Sequence, residues 1–193
     1  NVSDLVNNPQ IIYLTSRLHR ALNTTLLLAH GLDPSTNKKI FITDSLLELP
    51  QKILGKNLLL TESTPLLPHG SLPKMRKDAP GFDLLAPHYA MLPELVEEIG
   101  PAIFDPTFPE KLDAFVKIIF NGQHPALKKA KKIVVVGHSQ WLERFFASFY
   151  PNSNMAKVKM DNCQIIRTKL THMANGRIQG SILLPSPTIA LDN

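Results

Sequence analysis

The feature that most constrains the fold is the stretch Ile133–Phe146, IVVVGHSQWLERFF, in which a strand pattern passes directly into a helix pattern. The β-branched run before Gly137 is typical of a strand buried on both faces. After that glycine, apolar residues recur with the spacing of one helical face: Trp141, Leu142, Phe145, Phe146 and Phe149. The polar residues between strand and helix therefore lie where α/β proteins place their chemistry, and the unpaired N–H groups of a helix start suit an anion.

Length and composition predict a single domain spanning residues 1–193 that needs no disulfide. The lone Cys163 cannot form an internal disulfide, which indicates a reducing compartment or indifference to redox. No apolar run reaches the roughly 18 residues of a membrane span. We therefore expect a soluble, intracellular protein, cytoplasmic or organellar, without a membrane span.

The formal net charge of +5 favours anionic partners in general. The densest basic run, Lys128–Lys132, has no interleaved aromatic residues for base stacking. We interpret it as a solvated face before a buried strand, and we expect no nucleic-acid partner.

Strand and helix patterns alternate along the chain. Ile11–Leu14 and Lys39–Ile42 fit strands, and between them an apolar stripe runs from Leu18 to Ala29 and ends at Gly31. A second helix is predicted from the apolar set Leu112, Phe115, Val116 and Ile119. Near the end of the chain, Cys163–Leu170 and Ile178–Leu184 read as a hairpin that turns at Asn175 and Gly176. The alternation predicts the α/β class, with a sheet that is parallel in its centre and has the hairpin at its edge.

The interval from Pro50 to Pro109 holds 10 of the 16 prolines, which excludes one long helix across most of it. We interpret residues 50–110 as a Pro-rich insertion, a type of segment that often forms a lid or binding loop. Within it, only Leu92–Ile99 has the pattern of a short helix.

Reactive side chains follow three of the predicted elements, at Ser16–Thr24, Leu46–Glu48 and Gly137–Gln140. If the strands are parallel neighbours, these segments share one edge of the sheet. Arg20 then offers a fork of donors for phosphate oxygens, and His138 donates to the same anion. Glu48 is the candidate proton donor, because a nearby phosphate raises a carboxyl pKa.

These segments resemble the histidine phosphatase superfamily, also called phosphoglycerate mutase-like. SRLHRALNT at 16–24 is similar to the family's S-P-L-x-R-A-x-Q-T segment, and LLE at 46–48 to its L-x-E segment. VVGH at 135–138, followed by an apolar helix, resembles the second-histidine segment, V-V-x-H-G. The three occur in the family's order.

The resemblance implies a three-layer α/β sandwich and a metal-free, cofactor-free phosphatase or phosphomutase that acts through phosphohistidine. Arg20 and His138 would hold the phosphoryl oxygens, and Glu48 would protonate the leaving oxygen. Ser139 replaces a family glycine and offers a further hydroxyl to phosphate. The attacking histidine of the family's Arg-His-Gly segment is expected upstream of Asn1, because His30 ends a helix and follows Ala29 instead of an arginine. The substrate would be a phosphorylated small molecule or a phosphoprotein.

Two other functions stay open. The chain is a catalytically inactive binding or scaffold subunit if the nucleophile has been lost. Alternatively, it is an α/β-hydrolase with Ser139 as nucleophile, since Gly137–Gln140 matches four positions of G-x-S-x-G. Trp141 crowds the fifth position, and Asp161 and His172 are too close in sequence to complete a triad with room for the intervening strands. The sequence leaves the substrate, the choice between hydrolysis and transfer, and the oligomeric state undetermined.

Overall fold

The computed structural model describes residues 10–31, 38–47, 51–53, 56–58, 81–102, 107–122, 124–150 and 165–185. The chain divides into two compact units, Asn1–His138 and Ser139–Asn193. The first unit contains the central sheet and the second contains a helix and a hairpin.

Four parallel strands form the central sheet, in the order β5-β2-β1-β6. They are β1 (Ile11–Thr15), β2 (Ile40–Ile42), β5 (Val96–Glu98) and β6 (Lys132–Val136). Helices flank this sheet, so the predicted α/β class with a parallel centre is confirmed. The inner strands β1 and β2 are buried along their whole length, as expected for parallel strands covered on both faces.

The register aligns the carboxyl ends of all four strands. Thr15 is paired with both Ile42 and Val136, and Ile42 is paired with Glu98. The residues that follow these strands therefore emerge in one row. This row is the carboxyl edge of the sheet, where α/β proteins bind their ligands.

Helix α1 (His19–His30) packs on the sheet as its sequence stripe predicts. Leu22, Leu26 and Ala29 are fully buried in the apolar core, and burial of each leucine stabilises the fold by about 1.5–3 kcal/mol. Gly31 ends the helix with φ 62°, and its N–H donates to the carbonyl of Leu27. Glycine adopts this conformation at little cost, so the helix ends where the sequence predicts.

Short elements connect β2 to β5. A 3-10 turn (Asp44–Leu46) follows β2, and β3 (Gln51–Ile53) pairs with β4 (Lys56–Leu58) in an antiparallel ladder. Helix α2 (Phe82–Ala90) and the single turn α3 (Leu92–Leu95) lead into β5. The helix predicted over Leu92–Ile99 therefore ends at Leu95. Its second half becomes a sheet strand because the exposed edge of β2 supplies backbone partners that a sequence pattern does not show.

Helix α4 (Phe108–Phe120) exists as predicted but buries a different face. The predicted stripe was Leu112, Phe115, Val116 and Ile119, whereas the buried residues are Lys111, Ala114, Phe115 and Ile118. The most buried face is thus offset by about one residue, or 100°, from the predicted stripe, of which Phe115 is buried and the other three residues are half-buried. The burial of Lys111 was not predicted because a charged residue is not counted in an apolar stripe.

The strand β6 is half-buried and lies at the edge of the four described strands, whereas the sequence predicted burial on both faces. A β-branched run reports strand tendency but not position in the sheet. The short helix α5 (Pro125–Lys129) precedes it. Lys128, Lys129, Lys131 and Lys132 are all exposed, which confirms the predicted solvated face.

The second unit consists of helix α6 (Ser139–Phe149) and the antiparallel strands β7 (Ile166–His172) and β8 (Ile178–Pro185). Trp141, Phe145 and Phe146 are buried, as predicted for the apolar face of α6. The hairpin turn contains Gly176 at φ 78°. Among the described residues, β7 and β8 pair with each other, so the hairpin itself was predicted correctly, and its place at the edge of the central sheet stays a prediction. None of the described helices combines the length and apolar character that a membrane crossing requires.

Candidate active site at the carboxyl edge of the sheet

Two polar side chains meet directly beyond the aligned strand ends. Ser16 follows β1, and His138 stands one residue beyond the Gly137 that follows β6. Ser16 Oγ and His138 Nε2 are 2.8 Å apart, although 122 positions separate the two residues in the chain. Parallel pairing of β1 with β6 brings them together. Both residues are buried.

Arg20 approaches the same imidazole from the first turn of α1. Its Nε–H donates to His138 Nδ1 at 3.3 Å. Because a guanidinium only donates hydrogen bonds, Nδ1 must be the unprotonated nitrogen of a neutral ring. The proton of the neutral imidazole is therefore on Nε2, which donates to Ser16 Oγ.

Burial and positive surroundings keep His138 neutral. Burial, together with the positive charges of Arg20 and Lys111, lowers the pKa of His138 from 6.5 to about 4. At neutral pH the side chain is thus an N–H donor without a charge. A bound anion would oppose both causes and raise this pKa.

A buried ion-pair network lies at the same edge of the sheet. Arg17 donates through Nε to Asp44 Oδ1 at 2.6 Å, and its NH2 group lies 2.6 Å from Glu98 Oε1. Only 2% of the Arg17 side chain and 6% of the Asp44 side chain are exposed. These three residues belong to the carboxyl ends of β1, β2 and β5, so the network ties three neighbouring strands together.

Lys111 adds a second buried cation. It lies on the inner face of α4, is 2% exposed, and donates from Nζ to the carbonyl of Leu47 at 3.1 Å. Leu47 directly follows the 3-10 turn after β2. Burying charged and polar groups costs free energy unless they are paired or hydrogen-bonded, and clusters of such groups occur preferentially at functional sites. This edge is therefore the leading candidate for an active site.

The structure brings together two of the four predicted site residues, Arg20 and His138. Glu48 lies outside the described residues, and its role stays a prediction. Ser139 is the first residue of α6 and belongs to the second unit, so its role at the phosphoryl site also stays a prediction. His30 is buried in the last turn of α1, with its ring tilted against that of His88 at 6.2 Å.

Sequence reasoning missed the supporting residues of the site. Arg17 stands at the proline position of the S-P-L segment and was assigned no role. Asp44, Glu98 and Lys111 were not assigned to the site either. The rule that strand ends converge on one edge would have identified Asp44, which stands two residues after β2. Assigning Glu98 to the site would have required knowing that Val96–Glu98 is a strand. Assigning Lys111 would have required knowing which face of α4 is buried.

Comparison with known proteins finds no matching family model, no matching curated protein and no matching solved structure.

Proposed function

We propose that the protein is a phosphoric monoester hydrolase or phosphomutase of the histidine phosphatase type, with a three-layer phosphoglycerate mutase-like fold. The observation that carries this proposal is the 3.3 Å contact between Arg20 and His138 at the carboxyl edge of a parallel sheet. These are the two residues whose sequence segments resemble the phosphate-binding segments of that family. A guanidinium and an imidazole N–H that converge from distant parts of the chain form a suitable cradle for phosphoryl oxygens.

In the proposed reaction, a histidine upstream of Asn1 attacks phosphorus, so that an N–P bond forms and the ester P–O bond breaks. Glu48 gives its proton to the leaving oxygen. Water, or a second hydroxyl in a mutase, then attacks the phosphohistidine, so that a P–O bond forms and the N–P bond breaks, and the proton of the attacking oxygen returns to the Glu48 carboxylate. Arg20 stabilises the negative charge on the oxygens that do not react, and His138 does so when its Nε2–H donates to a phosphoryl oxygen instead of to Ser16 Oγ.

The assigned hydrogen positions argue against a serine nucleophile at Ser16. A serine is activated by a histidine nitrogen that accepts its proton. His138 Nε2 instead carries the proton and faces Ser16 Oγ, because Nδ1 accepts from Arg20. The side chain of Ser16 is therefore better suited to orienting the imidazole.

An inactive phosphatase-like binding subunit is the second candidate. It is favoured by the burial of His138, whose two nitrogens already contact Ser16 and Arg20. Such a subunit would bind phosphate esters without turning them over. The α/β-hydrolase alternative depends on Ser139 and is distinguished by the same experiments.

Binding is the first test and requires only residues 1–193. Phenyl phosphate should shift the His138 imidazole resonances and raise the pKa of that ring. His138→Ala and Arg20→Ala should weaken binding by about tenfold or more, since each removes a charge-assisted or site-forming hydrogen bond. Lys117→Gln, which changes an exposed lysine on α4, is the control and should bind within about twofold of the parent protein. Absence of binding by the folded parent protein would refute the proposal.

Turnover is measured on the full-length gene product with p-nitrophenyl phosphate. Hydrolysis that is abolished by His138→Ala and Arg20→Ala but persists in Ser139→Ala supports the phosphatase. Binding without turnover supports the inactive subunit. Loss of activity only in Ser139→Ala, or labelling by a fluorophosphonate, would assign the protein to the serine hydrolases.

A further inference from the structure

Lys111 is an unusual residue for the buried face of a helix. It is 2% exposed and shares the buried face of α4 with Ala114, Phe115 and Ile118. Lysine is almost never fully buried without a specific interaction, because desolvation disfavours its charged form. The burial of this amine therefore requires an explanation beyond core packing.

The location of the ammonium group connects it to the candidate site. Lys111 Nζ donates to the Leu47 carbonyl at 3.1 Å, and α4 packs against the turn Asp44–Leu46. The amine thus reaches the carboxyl edge of the sheet at the loop after β2. Its charge acts on the imidazole of His138, since it contributes to the lowered pKa of that ring.

Arg17 has a different role from Lys111. Its guanidinium is engaged by two carboxylates, those of Asp44 and Glu98. It is a positioning residue that joins strand ends. Arg20 and Lys111, in contrast, are cations that help to lower the pKa of His138.

We propose that Lys111 is a specificity residue of the phosphoryl site, whose buried ammonium at the loop after β2 adds a second fixed positive charge to the carboxyl edge of the sheet and selects a dianionic phosphomonoester over a monoanionic ester of the same shape. This inference rests on the proposed function. A phosphomonoester carries close to two negative charges above its second pKa, which is about 6. A sulfate monoester has the same tetrahedral shape and one negative charge. The additional charge is what a second cation recognises.

The test compares phenyl phosphate with phenyl sulfate at pH 7.5, with binding measured by calorimetry and by the His138 imidazole resonances. The parent protein should bind phenyl phosphate at least about tenfold more tightly than phenyl sulfate. Lys111→Gln keeps a donor for the Leu47 carbonyl but removes the charge. It should weaken phenyl phosphate binding by about tenfold and leave phenyl sulfate binding within about threefold, so that the preference is lost.

Two controls separate specificity from folding. Lys117→Gln removes an exposed lysine from the same helix, one that pairs with Asp113 at 2.7 Å, and should leave the preference unchanged. Lys111→Arg keeps the charge and should retain the preference. If Lys111→Gln does not fold, the ratio of the affinities for phenyl phosphate and phenyl sulfate is compared between Lys111→Arg and Lys111→Met. A merely structural role of Lys111 would change the affinities for both esters equally and leave this ratio unchanged.

The outcomes distinguish this inference from the proposed function. Failure of the parent protein to bind either ester overturns both. Tight binding of phenyl phosphate by the parent protein, with an unchanged phosphate-to-sulfate ratio in the charge-removing variants, overturns the role of Lys111 alone. A ratio that falls only when the charge at position 111 is removed supports it.

Discussion

Replacing Arg17 by methionine should destabilise the protein by about 4 kcal/mol. Methionine keeps most of the apolar stem but removes the cation that lies 2.6 Å from Asp44 and 2.6 Å from Glu98. The Asp44 side chain is 6% exposed, so it would be left as a buried charge without this partner. Breaking one partner of a buried ion pair costs about 3–5 kcal/mol. The Glu98 side chain is 21% exposed and reaches water, so loss of its ion pair with Arg17 adds only about 1 kcal/mol or less to the cost.

The assay is urea unfolding followed by circular dichroism, at fixed pH and salt. Lys117→Met is the matched control, because it breaks an ion pair of similar length between side chains that are more than half exposed. It should cost less than about 0.5 kcal/mol. The contrast between the two variants isolates the effect of burial.

A double variant tests the mechanism behind the number. Arg17→Met combined with Asp44→Asn removes both buried charges, so its cost should be smaller than the sum of the single variants by about 1 kcal/mol or more. A cost below about 1 kcal/mol for Arg17→Met, or simple additivity in the double variant, would refute the reasoning that the network is a buried, coupled unit.

Two further predictions concern His138 and a glycine next to α4. Between pH 6.5 and about 4 the unfolded chain binds a proton at His138 that the folded protein does not, so the free energy of unfolding should fall as the pH is lowered through this window. At about 1.4 kcal/mol per pH unit the full effect is about 3 kcal/mol. In urea unfolding at pH 7.5 and pH 4, the free energy of unfolding of His138→Gln should therefore change less with pH than that of the parent protein. An equal change in both proteins would contradict the prediction. Gly100 has φ 83°, and a Cβ there would lie 2.7 Å from Ile118 Cδ1, whereas Gly81 has φ 77° with nothing within 4 Å. In thermal or urea unfolding, Gly81→Ala should therefore cost about 1–2 kcal/mol for the backbone alone, and Gly100→Ala about 1–3 kcal/mol more because Ile118 must move; equal costs would show that Ile118 yields freely.

Local patterns were sufficient for the elements whose character depends on their own residues. The stripe of α1 ends at Gly31 as predicted, and the strand at Ile11 is followed by a helix as predicted. The parallel order of β1 and β6 follows from the alternation of strands and helices. Together these features were enough to predict that Arg20 and His138 meet at one edge.

The parts that sequence reasoning missed depend on partners far away in the chain. Val96–Glu98 became a strand because β2 offered it a ladder, and that in turn placed Glu98 beside Arg17. The face that α4 buries was decided by the hydrogen bond from Lys111 to Leu47 and by the packing of α4 against the Asp44–Leu46 turn.

The sequence by itself determined the strands and helices that have a clear local pattern, such as β1, α1, β6 and α6, and which polar residues stand at their junctions, because periodicity and turn chemistry are local properties. Only the tertiary structure decided which partner each charged residue at those junctions has. Arg17 is engaged by two carboxylates and Arg20 by a neutral imidazole, although both follow the same strand within five residues. The reason is that a charge in a folded protein takes its role from the groups within a few ångströms, and those groups come from other parts of the chain.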